Sequence, residues 1–281
     1  MSYPELCQLP IGVFDSGVGG LTVLKALEEV LPHEYFLYLG DTARLPYGIK
    51  TPKTVSAYAI QATQFLLNQG IKLLVIACNT ATALALPVLQ QQFPELLMLG
   101  VIAPGARAAI KASTTNQIAV LATEATVNSR GYDQAILSLQ PGAKVLALPA
   151  NLLVSLAEEG LFTHEIPKLI IEHYLMPILK QTELELDTLI LGCTHFPVLQ
   201  PAIETVIAGR MQVINSAHAV ALEVQALLAQ RPELMYPGTQ TPRTQFLVTD
   251  GVGRFMKVAR IFLQRELEPQ DVSLTELNFP V

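Results

Sequence analysis

Leu74-Val75-Ile76-Ala77-Cys78-Asn79-Thr80 is an apolar, β-branched run that ends on a cysteine and turns polar at once. Short runs of this kind predict parallel strands covered on both faces, here Leu73–Ala77. Leu189-Ile190-Leu191-Gly192-Cys193-Thr194 has the same form. Earlier in each half stands a second matched pair, Ile11-Gly12-Val13-Phe14-Asp15-Ser16 and Ile118-Ala119-Val120-Leu121-Ala122-Thr123. The pairs keep their order at comparable separations. They predict two similar lobes, each offering one cysteine at a strand end. Strands of α/β proteins resemble one another, so an unrepeated sheet would also accommodate these runs.

Working outward, further strand candidates are Tyr35–Leu39, Met98–Ile102, Lys144–Leu148 and Gln245–Thr249, with Ile11–Asp15, Ile118–Ala122 and Thr188–Gly192 completing the set. Segments of helical period lie between them. The clearest places Val55, Tyr58, Ala59, Ala62, Phe65 and Leu66 on one face, with Thr51 as N-cap, Pro52 in the first turn and Gly70 as the stop. Alternating strands and helices predict an α/β fold with mostly parallel sheets. The lobes are expected at residues 1–103 plus 217–281 and at 104–216. Sheets of this kind bind ligands beyond the carboxyl ends of their strands. That rule singles out Asp15-Ser16-Gly17-Val18-Gly19-Gly20, Cys78-Asn79-Thr80 and Cys193-Thr194-His195.

Composition narrows the function. The 281 residues are 51% apolar and 15% charged, with a net charge of −6. That is enough apolar material for a large core, and no basic stripe is present to neutralise nucleic-acid phosphates. Met1 to Pro10 lacks the basic flank and apolar stretch of a signal peptide, and Ile71–Ala77 is far too short to span a bilayer. A soluble, cytoplasmic protein is expected. Three cysteines make no disulfide framework and no Cys-x-x-Cys pair, so any role they have is reactive.

Cys7, in an irregular N-terminal segment, reads as a small apolar residue. Cys78 and Cys193 differ, because each stands where a helix N-terminus would begin. Such a place is expected to lower a thiol's pKa from about 8.5 toward neutrality. Three chemistries are open to the pair. A lone nucleophile leaves one cysteine idle. A metal site of Cys78, Cys193 and His195 lacks the ligand cluster needed to complete a tetrahedral set. Two-base proton transfer at carbon uses both thiols, one removing a proton from one face while the other delivers a proton to the opposite face.

Asp15 reads as an N-cap, a solvated carboxylate or an auxiliary to the site, and its strand-end position favours the last. His195, two residues from Cys193, shares that cysteine's surroundings. Gly17-Val18-Gly19-Gly20 falls short of a dinucleotide fingerprint, since Thr22 stands where a third spaced glycine is required. Its N–H groups would suit a carboxylate equally well, with Asn79, Thr80 and Thr194 as neutral donors nearby. Leu45-Pro46-Tyr47-Gly48 is a turn, or a loop overhanging the same crevice.

Gly12–Gly20, Leu45–Gly48, Ala77-Cys78-Asn79-Thr80-Ala81 and Gly192-Cys193-Thr194-His195-Phe196-Pro197, in this order, resemble the glutamate racemases, a resemblance that covers Ile11 to about Ala217. It implies a cofactor-independent isomerase that interconverts L- and D-glutamate, supplies D-glutamate for peptidoglycan, and works as a homodimer with substrate between two α/β lobes. Neither pyridoxal phosphate nor metal is implied, and neither nucleic acid nor membrane is an expected partner. By motif, Cys78 would take the α-proton of D-glutamate with help from Asp15, and Cys193 that of L-glutamate with help from His195. Glu158 would support His195, with Glu159 as competitor. Asp15, Ser16, Tyr47, Gly48, Asn79, Thr80, Thr126, Thr194 and His195 match substrate-contacting positions. Departures from the family's pattern are Phe196 in place of a tyrosine, Asn215 in place of an aspartate, and the Thr249–Arg254 loop. A related racemase for aspartate or another small acid, and a non-catalytic small-acid binding protein, are the competing readings.

Overall fold

The computed structural model describes residues 6–162, 165–181, 183–239 and 244–277, so the first half of Met1–Pro10 lies outside the described residues. Ten strands appear among them: β1 (Ile11–Asp15), β2 (Phe36–Gly40), β3 (Leu73–Ile76), β4 (Met98–Gly100), β5 (Gln117–Ala122), β6 (Lys144–Pro149), β7 (Thr188–Gly192), β8 (Gln212–Asn215), β9 (Gln245–Val248) and β10 (Val272–Leu274). They form two sheets, ordered β10-β9-β2-β1-β3-β4 and β6-β5-β7-β8. Every strand pair is parallel.

The order β2-β1-β3-β4 is repeated as β6-β5-β7-β8, which is the duplication the matched sequence runs suggested. The register agrees with it. Phe14 pairs with Ile76 and Leu121 with Leu191, so Ser16 continues toward Cys78 as Thr123 continues toward Cys193. The strand expected to run to Ile102 stops at Gly100, because Ile102 opens the helix Ile102–Ala112. β8 and β10 were not anticipated.

The helix expected after Thr51 runs from Pro52 to Gln69. Thr51 Oγ1 accepts from the Thr54 N–H, and Gly70 ends the helix at φ 79°, the left-handed conformation that glycine adopts without steric cost. Its Val55, Ala59, Ala62 and Leu66 are fully buried against the first sheet, while Tyr58 and Phe65 are half-buried.

Alternation along the strands builds the core. Ile11 and Val13 of β1, Leu73 and Val75 of β3, Ala119 and Leu121 of β5, and Leu189 and Leu191 of β7 all contribute to one apolar cluster. Phe14, Leu74 and Ile76 face a second cluster, and Ile118, Val120 and Ile190 a third. β1, β3, β5 and β7 are therefore covered on both faces. The two sheets share the first cluster, so their carboxyl ends are held at a fixed separation. No described helix is long and apolar enough to cross a membrane.

Candidate active site

A cavity of about 220 Å³ lies at the carboxyl ends of the strands, lined from the first lobe by Ser16, the Pro46–Ile49 loop, Cys78, Asn79 and Thr80, and from the second by Thr123, Cys193, Thr194 and His195. It suits a ligand of amino-acid size, being smaller than the usual pocket for larger organic ligands. Asn151, Val154 and Ser155 close one side.

Cys78 caps the helix Asn79–Gln92, its sulfur accepting from the Ala81 N–H at 3.4 Å while the thiol points to Ser16 Oγ, also at 3.4 Å. The helix start was foreseen, but its consequence was not. Burial and the nearby Asp15 carboxylate push the Cys78 thiol up to about 12, outweighing the Ser16 and Ala81 contacts that lower it. At neutral pH Cys78 is therefore a thiol. This corrects the expectation of a thiol lowered toward neutrality.

Asp15 is wholly buried at the end of β1 and stands behind the cavity wall rather than in it. Its Oδ2 accepts from the Gly17 N–H at 2.9 Å, and the Ser16 and Gly20 N–H groups also face its carboxylate. The glycine turn therefore holds a carboxylate of the protein itself, where a bound ligand's had been expected. Burial raises the pKa of Asp15 despite these contacts and the opposing charge of His195. Its Oδ1 has no protein partner.

Across the cavity, Cys193 Sγ lies 3.7 Å from His195 Nδ1, and His195 Nε2 lies 3.0 Å from Glu158 Oε1. Burial opposes charge on the imidazole, yet bonds to the Cys193 sulfur and the Glu158 carboxylate raise its pKa to about 10. Glu158 is held below its ordinary range in turn: burial raises it, but His195 and then Arg254 outweigh that. Of the two competing glutamates, Glu158 meets the histidine. Glu159 faces solvent and shares the Arg254 guanidinium, which reaches Glu158 Oε2 at 3.1 Å and Glu159 Oε1 at 3.2 Å. Close approach of the lobes is essential here. A Cβ at Gly19 would collide with Thr194 Oγ1 and the His195 ring.

The remaining sequence-predicted residues divide in two. Ser16, Tyr47, Gly48, Asn79, Thr80 and Thr194 line the cavity. Thr126 does not; its hydroxyl bonds to Thr80 at 3.1 Å and Thr123 at 3.0 Å from behind the wall. The Tyr47 hydroxyl donates to Asp41, which fixes the overhanging loop. The departures have local explanations. Phe196 is core, Asn215 caps the helix Ser216–Gln230 through the Ala217 N–H, and the Thr249–Arg254 loop supplies the arginine on Glu158. Thr123 was missed although the repeat signals it, since it occupies the place after β5 that Ser16 occupies after β1. Arg254 carried no signal of a site role in the sequence.

Residues 11–224 match the Asp/Glu/Hydantoin racemase family. A glutamate racemase of Syntrophus aciditrophicus is 44% identical over 264 residues, covering 94% of this chain and 95% of that protein. The crystal structure of a Francisella tularensis glutamate racemase in complex with D-glutamate superposes with a TM-score of 0.89 at 34% identity, over 97% of this chain and 99% of that one. A Thermus thermophilus glutamate racemase in complex with beta-chloro-D-alanine gives a TM-score of 0.85 at 40% identity, over 96% and 98% of the two chains. With two matching α/β lobes, a cysteine from each on one small cavity, and this similarity over nearly the whole length, the chain belongs to the Asp/Glu/Hydantoin racemase family.

Proposed function

We propose that the protein is a cofactor-independent glutamate racemase that moves a proton on and off the α-carbon with Cys78 and Cys193. The observation that carries this reading is the pair of thiols lining one cavity from opposite lobes. With L-glutamate bound, the Cys193 thiolate takes the α-proton, and the electron pair is left on a carbon flattened toward its carboxylate. The Cys78 thiol then delivers its own proton to the opposite face, giving D-glutamate, a Cys78 thiolate and a Cys193 thiol. D-Glutamate runs the same steps backwards. His195, protonated between Cys193 and Glu158, presents an Nδ1–H to the Cys193 sulfur, which supports the thiolate needed for the L-direction. Asp15 is the auxiliary of Cys78. Burial and then the Asp15 charge hold Cys78 as the thiol that donates in the L-direction, and the positive substrate ammonium offsets that charge when Cys78 acts on D-glutamate.

Ser16, Tyr47, Gly48, Asn79, Thr80 and Thr194 are the proposed substrate contacts, with Thr126 acting through Thr80 and Thr123. The lobes are taken as residues 1–103 plus 217–281 and 104–216, a division that sheet membership supports. By resemblance, the enzyme works as a cytoplasmic homodimer and supplies D-glutamate for peptidoglycan.

The test is direct. Purified protein without added cofactor, given either enantiomer of glutamate in deuterium oxide, is expected to racemise it and to place deuterium at the α-carbon. Absence of exchange from both enantiomers would falsify the reading.

A further inference from the structure

Asn79 lines the cavity, yet its amide is only half accounted for by the protein. Its Oδ1 accepts from the Tyr132 hydroxyl at 2.8 Å, while Nδ2, on the other branch, is buried without a hydrogen-bond partner. An unmet buried donor costs stability, of the order of 1–3 kcal/mol, unless something else accepts from it. Within a cavity, that acceptor is a ligand oxygen.

The two ends of an amide differ in polarity, and a free asparagine can rotate to offer either. Tyr132 removes the choice. It comes from the helix Gly131–Leu139 in the second lobe, and its ring is 2% exposed. A glycine makes room for that ring: a Cβ at Gly192 would stand 3.0 Å from Tyr132 Cε2. Gly192 directly precedes Cys193, so the seat of Tyr132 is part of the turn that presents the second thiol. Burial, outweighing a contact with Ser216, raises the Tyr132 pKa and keeps the proton on the hydroxyl that donates to Asn79.

We propose that Tyr132 is a positioning residue that locks the Asn79 amide from the opposite lobe, so that Nδ2 is always presented to a carboxylate oxygen of the substrate. The inference rests on the glutamate racemase reading and adds to it a residue outside the cavity lining. Tyr132 touches no reacting atom. It fixes the polarity of the amide that meets the substrate carboxylate, and it does so from the opposite lobe.

The experiment is a mutant cycle on the full chain, with racemisation of both glutamate enantiomers followed at steady state. Tyr132→Phe keeps the ring and removes the donor. KM is expected to rise about ten-fold for both enantiomers, with kcat within about two-fold, and the rise is expected to vanish in an Asn79→Ala background, where no amide remains to orient. A purely structural tyrosine would lower thermal stability equally in both backgrounds and leave KM unmoved. Asn79→Asp tests the polarity independently of how Tyr132→Phe folds: with one carboxylate oxygen held by Tyr132, the other repels the substrate, so KM should exceed that of Asn79→Ala. An unchanged KM in Tyr132→Phe, a KM effect that persists without Asn79, or tighter binding by Asn79→Asp than by Asn79→Ala would each overturn the proposal alone. Wild-type protein that racemises neither enantiomer would overturn the underlying reading, and this inference with it.

Discussion

His195 sits between the Cys193 sulfur and the Glu158 carboxylate, and both favour its protonated form. Its pKa is raised from 6.5 to about 10, so the stability it contributes is complete below its unfolded value and disappears as pH rises through 10. The Glu158 pKa is lowered from 4.5, so its share is present above that value and disappears as pH falls through the lowered one. The gap in melting temperature between wild type and Glu158→Gln is therefore expected to be widest between pH 4.5 and 6.5, where both shares are complete, and to close toward both limits, which a series of thermal melts would show. Glu158→Gln should also slow turnover by about ten- to hundred-fold, since His195 loses the partner that holds its charge and ring orientation; turnover equal to wild type would remove Glu158 from the site. Much at this scale was legible in the sequence. Cys78, Cys193, Asp15 and His195 stand at strand ends, where parallel sheets present their chemistry. The rise in the Cys78 pKa was not legible, because it comes from burial in the folded core and from Asp15, 63 positions earlier in the chain.

Elements were legible where pattern and caps agreed, as in the helix from Pro52 to Gln69 with Thr51 and Gly70 at its ends. β8 and β10 escaped because Gln212–Asn215 and Val272–Leu274 are edge strands, four and three residues long, and half their residues or more are not fully buried. Edge strands need no continuous apolar run, so little marks them. One element-scale device was also invisible beforehand. Asp187, just before β7, accepts from Ser113 Oγ and the Thr114 N–H at 2.6 Å, and from Thr114 Oγ1, the Thr115 N–H and Thr188 Oγ1 at 2.9 Å. These bonds hold its carboxyl well below the usual range and tie the loop before β5 to the amino end of the strand that carries Cys193. Asp187→Ala should lower stability by about 2–3 kcal/mol in urea titration, with kcat in the folded protein unchanged because the site lies at the other end of β7. A stability loss within error would show that the carboxylate is solvated rather than structural.

At the scale of the molecule, the shared apolar cluster and the contacts across the cavity make the lobes one mechanical unit. Thr22 Oγ1 of the first donates to the Thr194 carbonyl of the second at 2.8 Å, and Thr80 Oγ1 meets Thr123 Oγ1 at 2.9 Å. Unfolding in denaturant is expected to be a single transition, with far-ultraviolet circular dichroism and tyrosine fluorescence coincident; two separated transitions would mean that each lobe has a core sufficient to itself. The repeat, legible from four short runs, placed the cysteines in matching positions. Their meeting in one cavity required the helices and loops between the runs, where pattern gives no distance. That meeting is the central claim, and isotope placement at low conversion tests it. A thiol carries one proton, so two opposed thiols in deuterium oxide should give product enantiomer carrying solvent deuterium at the α-carbon, while recovered substrate still holds its original hydrogen. Product that retains the substrate's hydrogen, or deuterium appearing equally in recovered substrate and product from the first turnovers, would mean that one base serves both faces.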